Sequence, residues 1–115
     1  MDGLAATRQN SMPVSHTRGV VRTVLADDHG AFRDLFRINL QRMGGYEIVG
    51  ETGDGAEVYD VVSRLRPDLL VLDYFLPGVS GLELIQKLTD NLPEVRVLVL
   101  TGCQQKAIID EIIRT

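Results

Sequence analysis

Carboxylates close two apolar segments of the chain, at positions where they can do chemistry together. Asp73 follows the run 69–72, and Asp27 and Asp28 follow the run 24–26. Continuous Val/Leu runs of this length are typical of strands buried in a parallel sheet. The carboxyl ends of parallel strands meet at one edge, which is where open α/β sheets bind ligands. We therefore expect the three carboxylates to share one acidic pocket.

Three like charges in such a pocket repel one another, so the pocket must hold a proton or a cation. The oxygen-only ligand set, with His29 the only nearby imidazole, favours a hard ion such as Mg²⁺. Beside a metal that neutralises phosphoryl charge, Asp73 is a candidate nucleophile that would form an aspartyl phosphate. Thr101 closes a later apolar run, and its hydroxyl is a candidate donor to a phosphoryl oxygen.

Each of these residues also has a purely structural interpretation. Asp28 is a suitable cap for the following helix, and Asp73 is a suitable cap for a turn before Pro77. Thr101 taken alone is a weak signal, since Thr is common in strands. The segment 53–55, Gly-Asp-Gly, resembles part of a dinucleotide-binding loop but lacks the third glycine, so we exclude a nucleotide-binding Rossmann domain.

Composition limits the other classes of function. The chain has 115 residues and a net charge of -4, which indicates one domain without general affinity for nucleic acid. Its single cysteine, Cys103, excludes an intrachain disulfide and suits a reducing compartment. No segment has the roughly 20 apolar residues of a membrane helix. We expect a cytoplasmic protein that makes no contact with a membrane.

The hydrophobic pattern predicts a polar, flexible tail over 1–19 and one domain over 20–115. Strands and helices alternate in that domain, and the helices end at Gly44-Gly45, before Pro67 and at Pro93. The predicted strands are 20–26, 46–52, 69–73 and 95–101, and a last helical stripe spans 108–113. This alternation predicts an α/β fold with a doubly wound parallel sheet.

Four segments together resemble the CheY-like receiver domain of two-component response regulators, which has a flavodoxin-like fold. They are 24–29 (VLADDH), 66–73 (RPDLLVLD), 76–81 (LPGVSG) and 97–101 (VLVLT). The first of them is particularly similar to receivers of the NarL/LuxR type.

The resemblance implies a role for each site residue. Asp73 would accept a phosphoryl group from a histidine kinase or phosphotransfer protein. Asp28, Asp73 and the backbone carbonyl of Phe75 would bind Mg²⁺, with Asp27 assisting through water, and Thr101 would act as the switch residue. Receivers of this type usually precede a helix-turn-helix DNA-binding domain, so the implied output is transcription, and a dimer is possible.

One departure from the family pattern concerns the end of the chain. Receivers carry a Lys at the end of a fifth strand, followed by a fifth helix, and both are absent from this chain. Lys106 is no substitute, because it lies in the loop or the first helical turn after the predicted fourth strand. We therefore expect the receiver domain to be incomplete at its C-terminus, either shortened or completed by another chain.

Two classes of function stay open. The first is a signalling module that is not an enzyme but contributes to its own Mg²⁺-dependent phosphorylation and dephosphorylation. The second is a receiver-like module that acts only by binding a partner, independently of phosphorylation. An aspartyl-phosphate hydrolase of the haloacid dehalogenase type would need an Asp where Phe75 stands.

Overall fold

A computed structural model describes residues 19–100, in which strands and helices alternate as the sequence predicts. The elements are β1 Val21–Ala26, α1 Gly30–Met43, β2 Tyr46–Thr52, α2 Gly55–Leu65, β3 Leu69–Asp73, α3 Gly81–Asn91 and β4 Arg96–Leu100. Within this part of the chain, no helix has the length and apolarity needed to cross a membrane. The segment 108–113 and nearly all of the predicted tail lie outside the described residues.

The four strands form one parallel sheet in the order β2-β1-β3-β4. Chain order reverses between β1 and β3, where Ala26 pairs with Leu72. In open α/β sheets this reversal creates a crevice outside the carboxyl ends of the two central strands. The crevice is where Asp27 and Asp73 leave the sheet.

Helices cover both faces of the sheet, which confirms the predicted doubly wound α/β fold. On one face, α2 and α3 pack against β1 and β3 through apolar side chains such as Val58 and Leu84. On the other face, α1 packs through Phe32, Phe36 and Leu40, and the two phenylalanine rings stack with centroids 5.4 Å apart. Strands covered on both sides need apolar side chains in both directions, which explains their continuous Val/Leu runs.

The predicted helix ends are close to the observed ones. Gly44, at φ 79°, follows α1, and Arg66, at φ 48°, follows α2 directly before Pro67. Strand β4 begins at Arg96 rather than at Val95, because the Val95 N–H donates to the carbonyl of Leu92 (3.1 Å) in a turn. Strand β1 begins one residue later than predicted, at Val21.

Candidate functional site

The acidic pocket lies at the carboxyl ends of β1 and β3. Asp27 directly follows β1, and its N–H continues the ladder to β2 by donating to the carbonyl of Thr52 (3.0 Å). Asp73 is the last residue of β3. One carboxylate oxygen from each of Asp27, Asp28 and Asp73 lies within 4.8 Å of the others. The structure thus brings together the three carboxylates that the sequence singled out.

Two of these carboxylates are fixed by short backbone turns. Asp27 and Asp73 are 3% and 7% exposed, whereas Asp28 is exposed. Asp27 Oδ1 accepts from the N–H of His29 (2.7 Å), and Asp73 Oδ1 accepts from the N–H of Phe75 (3.0 Å). The turn-capping interpretation of Asp73 is therefore correct, and it is compatible with a pocket because the bond holds the carboxylate in place.

The alternative role of Asp28 as a helix cap is wrong. The N-cap of α1 is His29, whose side chain makes no capping hydrogen bond. Asp28 lies one residue earlier, where its exposed carboxylate joins the pocket. His29 is exposed, as expected of a loop residue.

Burial and charge make the pocket unfavourable for three ionised carboxylates. Burial raises the pKa of Asp27 above its ordinary value, and the charges of Asp73 and Asp28 raise it further, against the hydrogen bond from His29, which lowers it. A divalent cation removes this repulsion, and a donor set made only of carboxylate oxygens suits Mg²⁺. The residues present therefore fit a magnesium site.

Phe75 and Thr101 differ in how they relate to this pocket. Phe75 lies in the turn after β3 and is 68% exposed, and its ring packs edge to face on the ring of Tyr74, with ring centroids 5.1 Å apart. Leu100, the register partner of Asp73, is the last described residue, so Thr101 lies outside the described part of the chain. The metal-binding carbonyl of Phe75 and the switch role of Thr101 stay predictions.

A charged network beside the pocket was missed from the sequence. Arg33 and Arg37, one turn apart on α1, both reach Glu51 on β2, at 3.2 and 2.8 Å. Arg33 Nη1 also donates to the backbone carbonyl of Asp27 (2.5 Å). The spacing of the two arginines is visible in the sequence, but their common partner depends on β2 lying beside β1.

Comparison with known proteins shows which family shares this sequence and fold. The family model for the response regulator receiver domain matches residues 23–115. The oxygen regulatory protein NreC of Staphylococcus aureus (strain JH9) is 34% identical over 95 residues, which cover 82% of this chain. They cover 44% of NreC, so the chain spans less than half the length of this curated relative.

Solved structures give the same result at the level of the fold. The signal receiver domain of NarL from Mycobacterium tuberculosis is 30% identical with a TM-score of 0.69, covering 83% of this chain and 77% of that one. A two-component response regulator of the LuxR family from Aurantimonas sp. SI85-9A1 is 30% identical with a TM-score of 0.67, covering 83% and 68%.

Proposed function

The chain belongs to the response regulator receiver domain family and is close to its NarL/LuxR-type members, and from this we propose that Asp73 is its phosphoacceptor. The donor is a phosphohistidine of a histidine kinase or phosphotransfer protein. The observation that carries the proposal is the clustering of three carboxylates, including the buried Asp73, at the reversal of chain order.

Asp28 and Asp73 would hold Mg²⁺ directly, together with the carbonyl of Phe75, and Asp27 would assist through water. When bound, the metal supplies positive charge that neutralises the oxygens of the transferred phosphoryl group. The raised pKa of Asp27 supports this assignment, because burial and, to a smaller extent, the neighbouring carboxylates disfavour its ionised form, and a cation would offset both effects.

The reaction is a displacement at phosphorus. A carboxylate oxygen of Asp73 forms a bond to phosphorus while the bond between phosphorus and the donor's imidazole nitrogen breaks. The electron pair of the broken bond returns to the imidazole. The hydrogen bond from the Phe75 N–H limits rotation of the Asp73 carboxylate, so the nucleophile is oriented before the donor arrives. Thr101 would donate its hydroxyl to a phosphoryl oxygen and report phosphorylation to the rest of the fold.

The output that we propose is transcription, through a DNA-binding domain beyond the residues of this chain, in the cytoplasm. The support is the relation to NarL/LuxR-type regulators, of which this chain matches the receiver portion. The domain would span 20–115 and be preceded by a flexible tail.

The test is phosphorylation of the full-length gene product by acetyl phosphate in the presence of Mg²⁺. We expect one hydroxylamine-labile phosphate, as an acyl phosphate requires, and we expect Asp73→Asn to abolish it. Asp60→Asn, an exposed change on α2, is the control and should label like the wild type. Labelling that survives Asp73→Asn would place the phosphoacceptor elsewhere, and absence of labelling in the wild type would favour the interaction-only module.

A further inference from the structure

We propose that Arg33 is a positioning residue for the acidic pocket, because its guanidinium fixes the loop that carries Asp27 and Asp28. Glu51 anchors this guanidinium, and Gly53 leaves the space that it occupies. This inference rests on the proposed function, because it concerns the geometry of the same pocket.

The contact that carries the proposal is made to the backbone. Arg33 Nη1 donates to the carbonyl oxygen of Asp27. That carbonyl belongs to the peptide bond that joins Asp27 to Asp28. Since a peptide unit is planar, holding its oxygen restricts the rotation that would move both neighbouring side chains. One guanidinium thus limits the positions of two of the three carboxylates.

Glu51 gives the guanidinium a fixed support. It lies on β2 in register with Leu25 of β1, so the sheet holds its backbone next to the loop. Arg33 Nε lies 3.2 Å from Glu51 Oε1 without the alignment of a hydrogen bond, and Arg37 Nη1 donates to Oε2 at 2.8 Å. Because Arg37 occupies the second carboxylate oxygen, Glu51 is held in the orientation that faces Arg33.

Gly53 leaves the space in which this contact forms. A Cβ at position 53 would lie 2.9 Å from Arg33 Nη1, 3.3 Å from Asp28 Cα and 3.5 Å from the carbonyl oxygen of Asp27. The first of these atoms is the end of a flexible side chain, so it would give way before the backbone does. Gly53→Ala should therefore displace the guanidinium from Asp27 while leaving every charge in place.

Because Gly53→Ala changes no charge, it is the most informative variant. Removing Arg33 takes a positive charge from the neighbourhood of the pocket, which favours Mg²⁺ electrostatically and opposes the loss of positioning. Gly30→Ala is the matched control. It likewise adds one methyl group, but at the start of α1, where nothing lies within 4 Å of the new Cβ.

The experiment is a calorimetric Mg²⁺ titration of the full-length gene product in its wild-type, Gly53→Ala and Gly30→Ala forms. We expect Gly53→Ala to raise the Kd about 3- to 10-fold, at or below the lower end of the effect of outer-shell partners on metal affinity. Gly30→Ala should match the wild type. At saturating Mg²⁺, the rate of phosphorylation by acetyl phosphate should differ little between Gly53→Ala and the wild type. A variant that was merely destabilised would lose phosphorylation rate as well as Mg²⁺ affinity.

A second variant covers the case in which Gly53→Ala does not fold. Arg33→Gln, titrated in about 1 M salt, where the Debye length is about 3 Å and the lost charge is screened, should also bind Mg²⁺ more weakly than the wild type. Wild-type affinity in a folded Gly53→Ala protein, or in Arg33→Gln under these conditions, would overturn the positioning role alone. Failure of the wild type itself to bind Mg²⁺ would overturn the proposed metal site and this inference with it.

Discussion

Asp27 and Asp73 are the buried carboxylates of the described residues, and each forms a hydrogen bond with the N–H two residues later. These bonds hold the side chains in place but do not balance their charge. Burial raises the pKa of Asp27 in spite of its hydrogen bond, and the charges of the neighbouring carboxylates raise this pKa further. Ionisation of Asp27 therefore lowers the stability of the folded chain, and a bound cation would offset that cost.

Asp27→Asn should stabilise the protein at neutral pH in buffer without divalent cations. The folded-state pKa of Asp27 lies above its ordinary value of 3.8, so ionisation costs more in the folded than in the unfolded chain. The advantage of Asn should be present above the folded pKa and disappear as the pH falls through it towards 3.8. Asn can still accept the N–H of His29 through its amide oxygen.

Thermal unfolding midpoints measured across this pH range check the prediction, with Asp60→Asn as the exposed control. A gain in the midpoint that does not change with pH would show that ionisation of Asp27 is not the cause.

Phe75→Asn should shorten the lifetime of the phosphorylated protein. Phe75 is exposed two residues after Asp73, and its side chain offers no hydrogen bond to a water that attacks phosphorus, whereas an amide can orient such a water. Release of phosphate after rapid removal of the donor measures the lifetime. Phe75→Leu is the control, because it removes the aromatic ring without adding a polar group. If Asn and Leu give equal rates, orientation of water at this position does not limit hydrolysis.

At the scale of the elements, the ends of strands and helices can be predicted where a change in the sequence pattern marks them. Strands β2 and β3 begin and end at the predicted residues, because β2 lies between Gly45 and Gly53 and the apolar run of β3 lies between two aspartates. The apolar stripe of α1 begins at Phe32, but the helix begins at Gly30, since its first two residues are exposed and belong to no apolar stripe. The segment after Leu100, with Thr101, lies outside the described residues, so that part of the prediction stays open.

The N-terminus of α2 and the loop after β3 pack tightly, which makes Gly55 sensitive to substitution. The Gly55 N–H donates to the carbonyl of Pro77 (3.0 Å), and a Cβ at position 55 would lie 2.5 Å from that oxygen and 2.6 Å from Val79 Cγ1. Gly55→Ala should therefore lower the free energy of unfolding by about 1–3 kcal/mol, as overpacking does.

Gly30→Ala should change the free energy of unfolding by less than about 1 kcal/mol, because its methyl group meets open space and Ala favours the helix. Urea denaturation of both variants provides the comparison. Equal effects of the two substitutions would contradict the close packing between α2 and this loop.

At the scale of the whole molecule, the site depends on strand order. The apolar runs indicate a parallel sheet, and the reversal between β1 and β3 then brings Asp27, Asp28 and Asp73 to one crevice, as the sequence predicted. The support from Arg33 and Glu51 could not be predicted in this way, because it joins a helix to a strand through side chains whose spacing along the chain carries no signal.

Chemical mapping of the phosphorylated aspartate shows whether Asp73 carries the phosphoryl group. The full-length gene product is phosphorylated with acetyl phosphate and Mg²⁺, the acyl phosphate is reduced with borohydride, and the peptides are sequenced by mass spectrometry. Reduction converts a phosphorylated aspartate into homoserine. We expect homoserine at position 73, and we expect it to be absent when Mg²⁺ is withheld. Homoserine at another aspartate, or none after reaction with Mg²⁺, would show that Asp73 is not the phosphoacceptor.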